Sequence, residues 1–297
     1  MLHNALQEIV ACFGQPVSGN PTQFMMERAF AQFGLDWRYL TLEVAPADLG
    51  AAVQGARAMG FQGFNCTIPH KCAVIPFLDG LTPAAEHIGA VNCVFRQGDQ
   101  FFGDNTDGKG FVESLKAMPV DPHGKRFVIL GAGGAARAIA VELAAAGAAH
   151  LTIVNRAAER GQALADLLNE RVHVPAAFVA WEKDFELSAD THVVVNATSV
   201  GMGDDAARLH LASESLNPDM VVADVVFNPA NTRLLRDARH AASSQQKEQH
   251  EALLGTLRDI MDSFEDGRCG GCNRSLENCL VGWFDDPLLS SFIRYPD

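Results

Sequence analysis

The chain has 297 residues, of which 48% are hydrophobic and 20% are charged. This length and composition are typical of a two-domain globular protein and exclude a disordered, collagen-like or coiled-coil chain. The formal net charge of −13 repels phosphate backbones and anionic membranes, which argues against nucleic acid and membrane surfaces as partners.

The beginning of the chain lacks the basic and apolar regions of a secretory signal, and no apolar run reaches the ~18 residues of a membrane span. The sequence therefore predicts a cytoplasmic protein. Seven cysteines, an odd number, favour reduced thiols over a disulfide framework. Cys269, Cys272 and Cys279 lack the fourth ligand of a structural zinc site, so we expect no metal.

The N-terminal part of the chain alternates short apolar runs with helical patterns. Strands are predicted at 9–14, 37–44 and 63–67, helices at 21–33 and 46–59, and short β-prone pieces at 90–96 and 100–103. This alternation predicts an α/β domain with a mostly parallel sheet over residues 1–106.

A second α/β unit begins within 104–125. A strand at 126–130, a helix at 135–146 and a strand at 151–155 form one right-handed βαβ crossover. Strands at 193–196 and 221–225 and a helix at 231–242 extend this unit, which we place at 107–242. The remaining segment, 243–297, loses clear periodicity, although 248–265 has the pattern of an amphipathic helix that could close over the molecule.

A glycine-rich loop joins the predicted strand at 126–130 to the following helix. It contains Gly131, Ala132, Gly133, Gly134 and Ala135. Glycines in this position permit a tight turn and let backbone N–H groups approach a pyrophosphate at the helix N-terminus. The loop predicts a dinucleotide site, with an ordinary glycine-rich turn as the alternative.

The end of the next predicted strand bears on the choice of dinucleotide. An NAD site usually has Asp or Glu here to bind the ribose hydroxyls, whereas this strand ends in Asn155 and Arg156. A guanidinium can bind a 2′-phosphate that a carboxylate would repel, so the sequence favours NADP. A solvated cation at a helix start is the alternative for Arg156.

Polar residues follow several predicted elements of the first domain. Lys71 comes just after a strand, and Asp107 follows the segment Asp104 to Thr106. Oxidation of a secondary alcohol needs a group that takes the hydroxyl proton, and a lysine paired with a carboxylate can supply it. A solvated lysine and a capping aspartate are the alternatives. On an extended backbone His70 would point away from the side that Lys71 faces.

The order of the motifs resembles that of the shikimate dehydrogenase family. The matching segments are 63–71, 89–92, 103–108, 131–136, 196–202 and 224–229. The resemblance implies an N-terminal substrate domain, a C-terminal NADP-binding Rossmann domain, and reversible reduction of 3-dehydroshikimate to shikimate. A small-molecule substrate is thus the expected partner, and a homodimer is left open as the assembly.

The resemblance also implies roles for individual residues. Lys71 and Asp107 match the catalytic pair and also belong to the substrate pocket, together with Asn20, Thr22, Asn65, Thr67 and Asn92. The cofactor residues are Gly131 to Ala135, Asn155, Arg156, Arg160, Thr198 and Val225.

Three features depart from the family pattern. Asn20 and Thr22 stand where the family usually has two serines that hold the substrate carboxylate, Phe227 replaces a common tyrosine, and no substrate-binding glutamine is recognisable within 243–297. A preference for quinate, and an NADP-binding regulatory protein with impaired turnover, therefore stay as alternatives. A different reaction on the same two-domain plan is more remote, because the N-terminal motifs are retained.

Overall fold

A computed structural model describes residues 6–20, 22–117, 120–226 and 229–241. These residues divide into two compact units, of which the first ends at Thr106 and the second begins at Asp107. The segment 243–297, with the helix predicted at 248–265 and the three C-terminal cysteines, lies outside the described residues, as does Phe227.

The first unit is a mixed, mostly parallel sheet with helices. Its strands run in the order β2-β1-β3-β5-β6-β4. Strands β2, β1 and β3 are parallel, β5 is antiparallel to β3 and β6, and β4 is parallel to β6. The elements are β1 Glu8–Gly14, α1 Thr22–Gln32, β2 Trp37–Glu43, α2 Leu49–Ala58, β3 Gly63–Cys66, α3 His70–Ala73, β4 Gly80–Leu81, α4 Pro83–Ile88, β5 Cys93–Gln97 and β6 Gln100–Asp104.

Both faces of this first sheet are buried, and the period of two along β1 assigns its side chains to them. Phe13 belongs to one core cluster and stacks on Phe64 with ring centroids 4.4 Å apart. Cys12 belongs to the cluster on the other face, with Phe30 and Tyr39. Burial on both faces explains why β1 reads as a continuous apolar run rather than as an alternating one.

The second unit is a wholly parallel sheet with the strand order β11-β10-β7-β8-β9. The order reverses between β7 and β10, and in such sheets ligands bind beyond the carboxyl ends of the strands at that reversal. The elements are α5 Asp107–Ala117, β7 Arg126–Leu130, α6 Gly134–Ala145, β8 His150–Asn155, α7 Ala158–Leu167, β9 Ala176–Ala180, β10 Val193–Asn196, β11 Val221–Asp224 and α8 Arg233–Ala241.

Strand β9 lies at one edge of this second sheet. Its first residue, Ala176, directs its backbone N–H and C=O to the side chain of Asn169, with both hydrogen bonds 2.9 Å long. The Asn169 amide also donates to the carbonyl of Ala165, so it is fixed to α7.

The α/β class and the strands predicted from the sequence are confirmed, with end points shifted by a few residues at most. The sequence did not predict α3, α4, β4, α7 and β9. One expectation is wrong: His70 and Lys71 do not lie on an extended backbone, because His70–Ala73 forms a short helix. Among the described residues, no helix has the length and apolarity to cross a membrane, and no cluster of His, Cys, Asp and Glu could hold a metal ion.

Candidate active site

The glycine-rich loop follows β7 and leads directly into α6. Gly131 has φ +111°, and a Cβ there would lie 2.9 Å from the Ala197 carbonyl oxygen, so both conformation and space require glycine. A Cβ on Gly133 or Gly134 would meet nothing within 4 Å, and these residues and Ala135 are exposed. No side chain caps the start of α6, which leaves its first backbone N–H groups for an anionic ligand.

Two arginines lie at the carboxyl end of β8. Arg156 and Arg160 are both exposed, Arg156 just past the strand and Arg160 in the first turn of α7. The Asn155 side chain donates a hydrogen bond of 2.8 Å to the Ala157 carbonyl, which fixes the turn between strand and helix. Both cations therefore follow β8, the strand that pairs with β7 before the glycine loop, and this is where the sequence predicts a 2′-phosphate.

A buried hydrogen-bond network joins the carboxyl ends of β10 and β11. Asn196 pairs in register with Asp224 and donates to its carboxylate over 2.9 Å. Asp224 also accepts from the Thr232 hydroxyl and from the Val226 backbone N–H, at 2.7 and 2.9 Å. Burial raises the pKa of Asp224, and these three hydrogen bonds offset part of that rise.

This network holds two of the predicted cofactor residues. The Asn196 side-chain oxygen accepts from the backbone N–H and the hydroxyl of Thr198, at 3.1 and 2.7 Å. The Asn196 backbone carbonyl accepts from the Val225 backbone N–H. Asn196 and Asp224 themselves were not among the predicted site residues. The available signal was a polar residue at the end of two otherwise apolar strands, VVVN and VVAD.

Lys71 lies in α3 and is half-buried. Its backbone carbonyl accepts a hydrogen bond of 2.7 Å from Val91, which ties α3 to the segment that carries Asn92. The neighbouring His70 is fully buried and its Nε2–H donates to the Val44 carbonyl over 2.8 Å. Helix α3 is thereby anchored to the residue that follows β2 and to the segment that precedes β5.

Asn92 fixes the end of the first unit. Its side-chain oxygen accepts from the Thr106 backbone N–H at 2.8 Å, and its amide nitrogen donates to the Thr106 hydroxyl at 3.0 Å. Asn65 donates to the Asn92 carbonyl at 3.2 Å. Asp107 is the next residue after Thr106 and is the first residue of α5 in the second unit.

Asn20 and Thr22 bond to each other at the start of α1. The Asn20 side-chain oxygen accepts from the backbone N–H and from the hydroxyl of Thr22, at 2.9 and 2.6 Å. The Asn20 amide donates to the Cys12 thiol at 3.4 Å. The Thr22 hydroxyl therefore uses its hydrogen in the bond to Asn20, and its oxygen can still accept a hydrogen bond.

The structure gathers the predicted substrate residues of the first unit at one edge of its sheet. The carboxyl ends of β1 and β3 and the amino end of the antiparallel β5 meet there, since Cys12 pairs with Asn65 and Asn65 with Cys93. Thr67 lies beside the end of β1, because its backbone N–H donates to the Phe13 carbonyl over 3.0 Å. The residues at this edge are Asn20, Thr22, Asn65, Thr67, Lys71 and Asn92.

Comparison with known proteins agrees with this architecture. Residues 12–94 match the family model described as the shikimate dehydrogenase substrate binding domain, and residues 114–202 match the model described as shikimate / quinate 5-dehydrogenase. The shikimate dehydrogenase (NADP(+)) of Geobacter metallireducens is 43% identical over 235 residues, covering 77% of this chain and 82% of the relative. The chain belongs to the shikimate dehydrogenase family. It is therefore a member of a family of two-domain α/β oxidoreductases.

Solved structures show the same fold. A shikimate dehydrogenase in complex with NADP+ is 33% identical and has a TM-score of 0.75, covering 85% of this chain and 86% of that chain. The ligand-free 5-ketofructose reductase of Gluconobacter sp. strain CHM43 is 42% identical with a TM-score of 0.80, and the match covers 93% of this chain and 100% of that chain. Proteins with different named substrates thus share this fold at substantial identity with the chain.

Proposed function

We propose that this member of the shikimate dehydrogenase family reduces 3-dehydroshikimate to shikimate reversibly with NADPH. Residues 1–106 bind the substrate and 107–242 bind the cofactor. The observation that carries the proposal is the polar edge of the first sheet. There Asn65 and Asn92 are held by hydrogen bonds beside the Lys71 segment, and the next residue after the anchored Thr106 is Asp107.

Lys71 and Asp107 are the proton-transfer pair in this proposal. When shikimate is oxidised, Lys71 takes the proton of the reacting hydroxyl, and Asp107 keeps the ammonium in place. When the ketone is reduced, Lys71 returns that proton to the carbonyl oxygen. NADP, held by the glycine loop and by Arg156 and Arg160, would supply the two-electron hydride chemistry that balances this proton transfer.

The cofactor site consists of the glycine loop and the β8 arginines. The open space at Gly133 and Gly134 and the uncapped start of α6 fit a pyrophosphate. Arg156 and Arg160 fit the 2′-phosphate of NADP, with Asn155, Thr198 and Val225 forming the rest of the site. The names of the relatives, shikimate dehydrogenase (NADP(+)), support the same cofactor.

A second candidate substrate is an uncharged polyhydroxy ketone such as 5-ketofructose. The hydrogen bond from Thr22 to Asn20 leaves this pair with an amide donor and a hydroxyl acceptor, a combination that suits a substrate hydroxyl group. A carboxylate accepts only, so it could bind the Asn20 amide, but it would bind the Thr22 hydroxyl only if that hydroxyl turned away from Asn20. The 42% identity to the 5-ketofructose reductase supports this candidate.

Initial rates distinguish the candidates. The wild-type protein is assayed with NADP+ and NAD+ on shikimate and quinate, and with NADPH on 5-ketofructose. Lys71→Ala tests the mechanism, and Lys116→Ala, which removes an exposed lysine paired with Glu113, is the matched control. We expect Lys71→Ala to lower kcat by roughly 10²–10⁴ while the control keeps wild-type rates.

Each outcome bears on a separate part of the proposal. Turnover of shikimate with NADP+ supports the main proposal, and turnover of 5-ketofructose alone supports the second candidate. Preference for quinate changes only the substrate. An unchanged kcat in Lys71→Ala removes that lysine from the mechanism. NADP binding without turnover of any of these compounds indicates a regulatory protein and refutes the proposal.

A further inference from the structure

A row of side chains crosses the first sheet on the face that packs against α1. The strand register places Cys12 beside Thr41 on one side and beside Asn65 on the other. Tyr39 lies two residues before Thr41 and so shares that face. Polar atoms of Tyr39 and Cys12 are thus buried directly behind the edge that carries the proposed substrate residues.

Tyr39 fixes the orientation of Asn65. It is only 1% exposed, and its hydroxyl donates to the Asn65 side-chain oxygen over 2.8 Å. The phenol O–H donates to the amide oxygen, whereas a rotated amide would have to donate its NH₂ group to the phenol oxygen. The Asn92 carbonyl accepts only, so it binds the Asn65 nitrogen, and the Tyr39 hydroxyl holds the Asn65 oxygen on the opposite side.

Cys12 fixes the orientation of Asn20. Cys12 is 1% exposed, and its thiol accepts from the Asn20 amide nitrogen, while the Asn20 oxygen accepts from Thr22. The same thiol lies in one buried cluster with Tyr39. Burial raises the pKa of Cys12, which keeps the group a neutral thiol, and the charge of Lys71 offsets part of that rise.

These contacts form one connected path. Hydrogen bonds join Asn20 to Cys12 and Tyr39 to Asn65, and Cys12 and Tyr39 pack in the same buried cluster. Neither Tyr39 nor Cys12 is among the residues proposed to touch the substrate. Strands β1, β2 and β3 each contribute one member between Asn20 and Asn92. Removal of the Tyr39 hydroxyl would release the Asn65 amide, and removal of the Cys12 thiol would release the amide nitrogen of Asn20.

We propose that Tyr39 and Cys12 are positioning residues that hold the amide groups of Asn65 and Asn20 in the orientation that binds the substrate. The proposal rests on the proposed function, in which those two amides contact the substrate. An amide that loses its fixed orientation presents the wrong atom to a substrate hydroxyl for part of the time, which weakens substrate binding. Cofactor binding in the second unit does not depend on this path.

The test uses variants that each remove one polar atom or group. Tyr39→Phe removes only the hydroxyl, and Cys12→Ala removes the thiol. Cys66→Ala is the matched control, because Cys66 is equally buried but packs in the core on the other face of the sheet. KM for the substrate, KM for NADP+, kcat and the melting temperature are measured for each full-length variant.

We expect Tyr39→Phe and Cys12→Ala to raise KM for the substrate by roughly twofold to tenfold, the equivalent of one neutral hydrogen bond, with KM for NADP+ unchanged. Cys66→Ala should lower the melting temperature without this change in KM. On an Asn65→Ala background, Tyr39→Phe should raise KM no further, because the group that it orients is absent.

Two results would overturn the positioning role. In one, Tyr39→Phe and Cys12→Ala lower the melting temperature but keep the wild-type KM for the substrate. In the other, Tyr39→Phe and Asn65→Ala raise KM additively. A wild-type protein that turns over none of the substrates refutes the proposed function first, and this inference with it, so the two failures are distinguishable.

Discussion

Gly108 and Gly110 lie two residues apart in helix α5, and replacing each by alanine should change stability in opposite directions. A Cβ on Gly108 would lie 2.2 Å from the Ala138 carbonyl oxygen and 2.6 Å from its carbonyl carbon, both in the backbone of α6. A Cβ on Gly110 would meet nothing within 4 Å. The pair thus separates the effect of helix contact from that of helix propensity.

The magnitudes follow from these distances. Alanine is favoured over glycine inside a helix by about 0.8–1.0 kcal/mol, so Gly110→Ala should raise the free energy of unfolding by up to about 1 kcal/mol. At Gly108 the same gain is outweighed, because backbone atoms cannot rotate aside and α6 must move away by about 1 Å to restore normal contact. Overpacking of this kind costs about 1–3 kcal/mol or more, so Gly108→Ala should be destabilising.

The movement would also disturb the core between these helices. Val112 and Leu115 of α5 belong to the same buried cluster as Ile139 and Leu143 of α6. Urea unfolding followed by circular dichroism measures both variants, and hydrogen exchange of the α5 amides localises the change. Equal stabilisation by the two substitutions would refute the close approach of α5 to α6 at Gly108.

Three further substitutions test single contacts. Arg156→Asp should raise KM for NADP+ by roughly 10-fold to 100-fold and change KM for NAD+ much less, and equal losses in initial-rate assays would show that Arg156 does not contact the 2′-phosphate. Because burial raises the pKa of Asp224, the folded protein keeps this proton to a higher pH than the unfolded chain. The contribution of Asp224 to the free energy of unfolding therefore falls as the pH rises from the ordinary carboxyl pKa of ~3.9 through the raised pKa. Urea unfolding across this pH range should show the fall in the wild-type protein and its loss in Asp224→Asn. His70→Phe should lower the free energy of unfolding by about 1–3 kcal/mol, because it removes the hydrogen bond to the Val44 carbonyl. An unchanged free energy in thermal unfolding would mean that this bond does not stabilise the fold.

The fold was largely predictable because its strands are apolar runs and its glycine loop lies between a strand and a helix. Helix α7 was not predicted because only three of its ten residues are buried, namely Gly161, Leu164 and Ala165. Its sequence therefore shows only a weak helical periodicity of apolar residues. Strand β9 has only five residues, of which three are alanine. Helix α3 has four residues, too few to show any helical period.

The candidate site was predictable in its residue types but not in its hydrogen bonds. The order of the motifs indicated Asn65, Lys71 and Asn92, and the structure of the first unit places them at one edge of its sheet. The bond from Tyr39 to Asn65 joins residues 26 positions apart, and that from Asn196 to Asp224 joins residues 28 positions apart. Such pairs depend on which strands are neighbours and in which register, and a single sequence does not contain that information.

The contact between Asn169 and Ala176 lies at the outermost strand of the second sheet, where another chain could pair with the backbone. A parallel sheet exposes unpaired N–H and C=O groups along its outermost strand, and these groups are a template on which a foreign strand can add. In β9 the outward-facing groups belong to alternate residues, beginning with Ala176. The Asn169 side-chain amide makes there the two hydrogen bonds that a neighbouring strand would make. The first pairing position of β9 is therefore not available to another chain. One side chain thus shortens the length of β9 to which another strand could add.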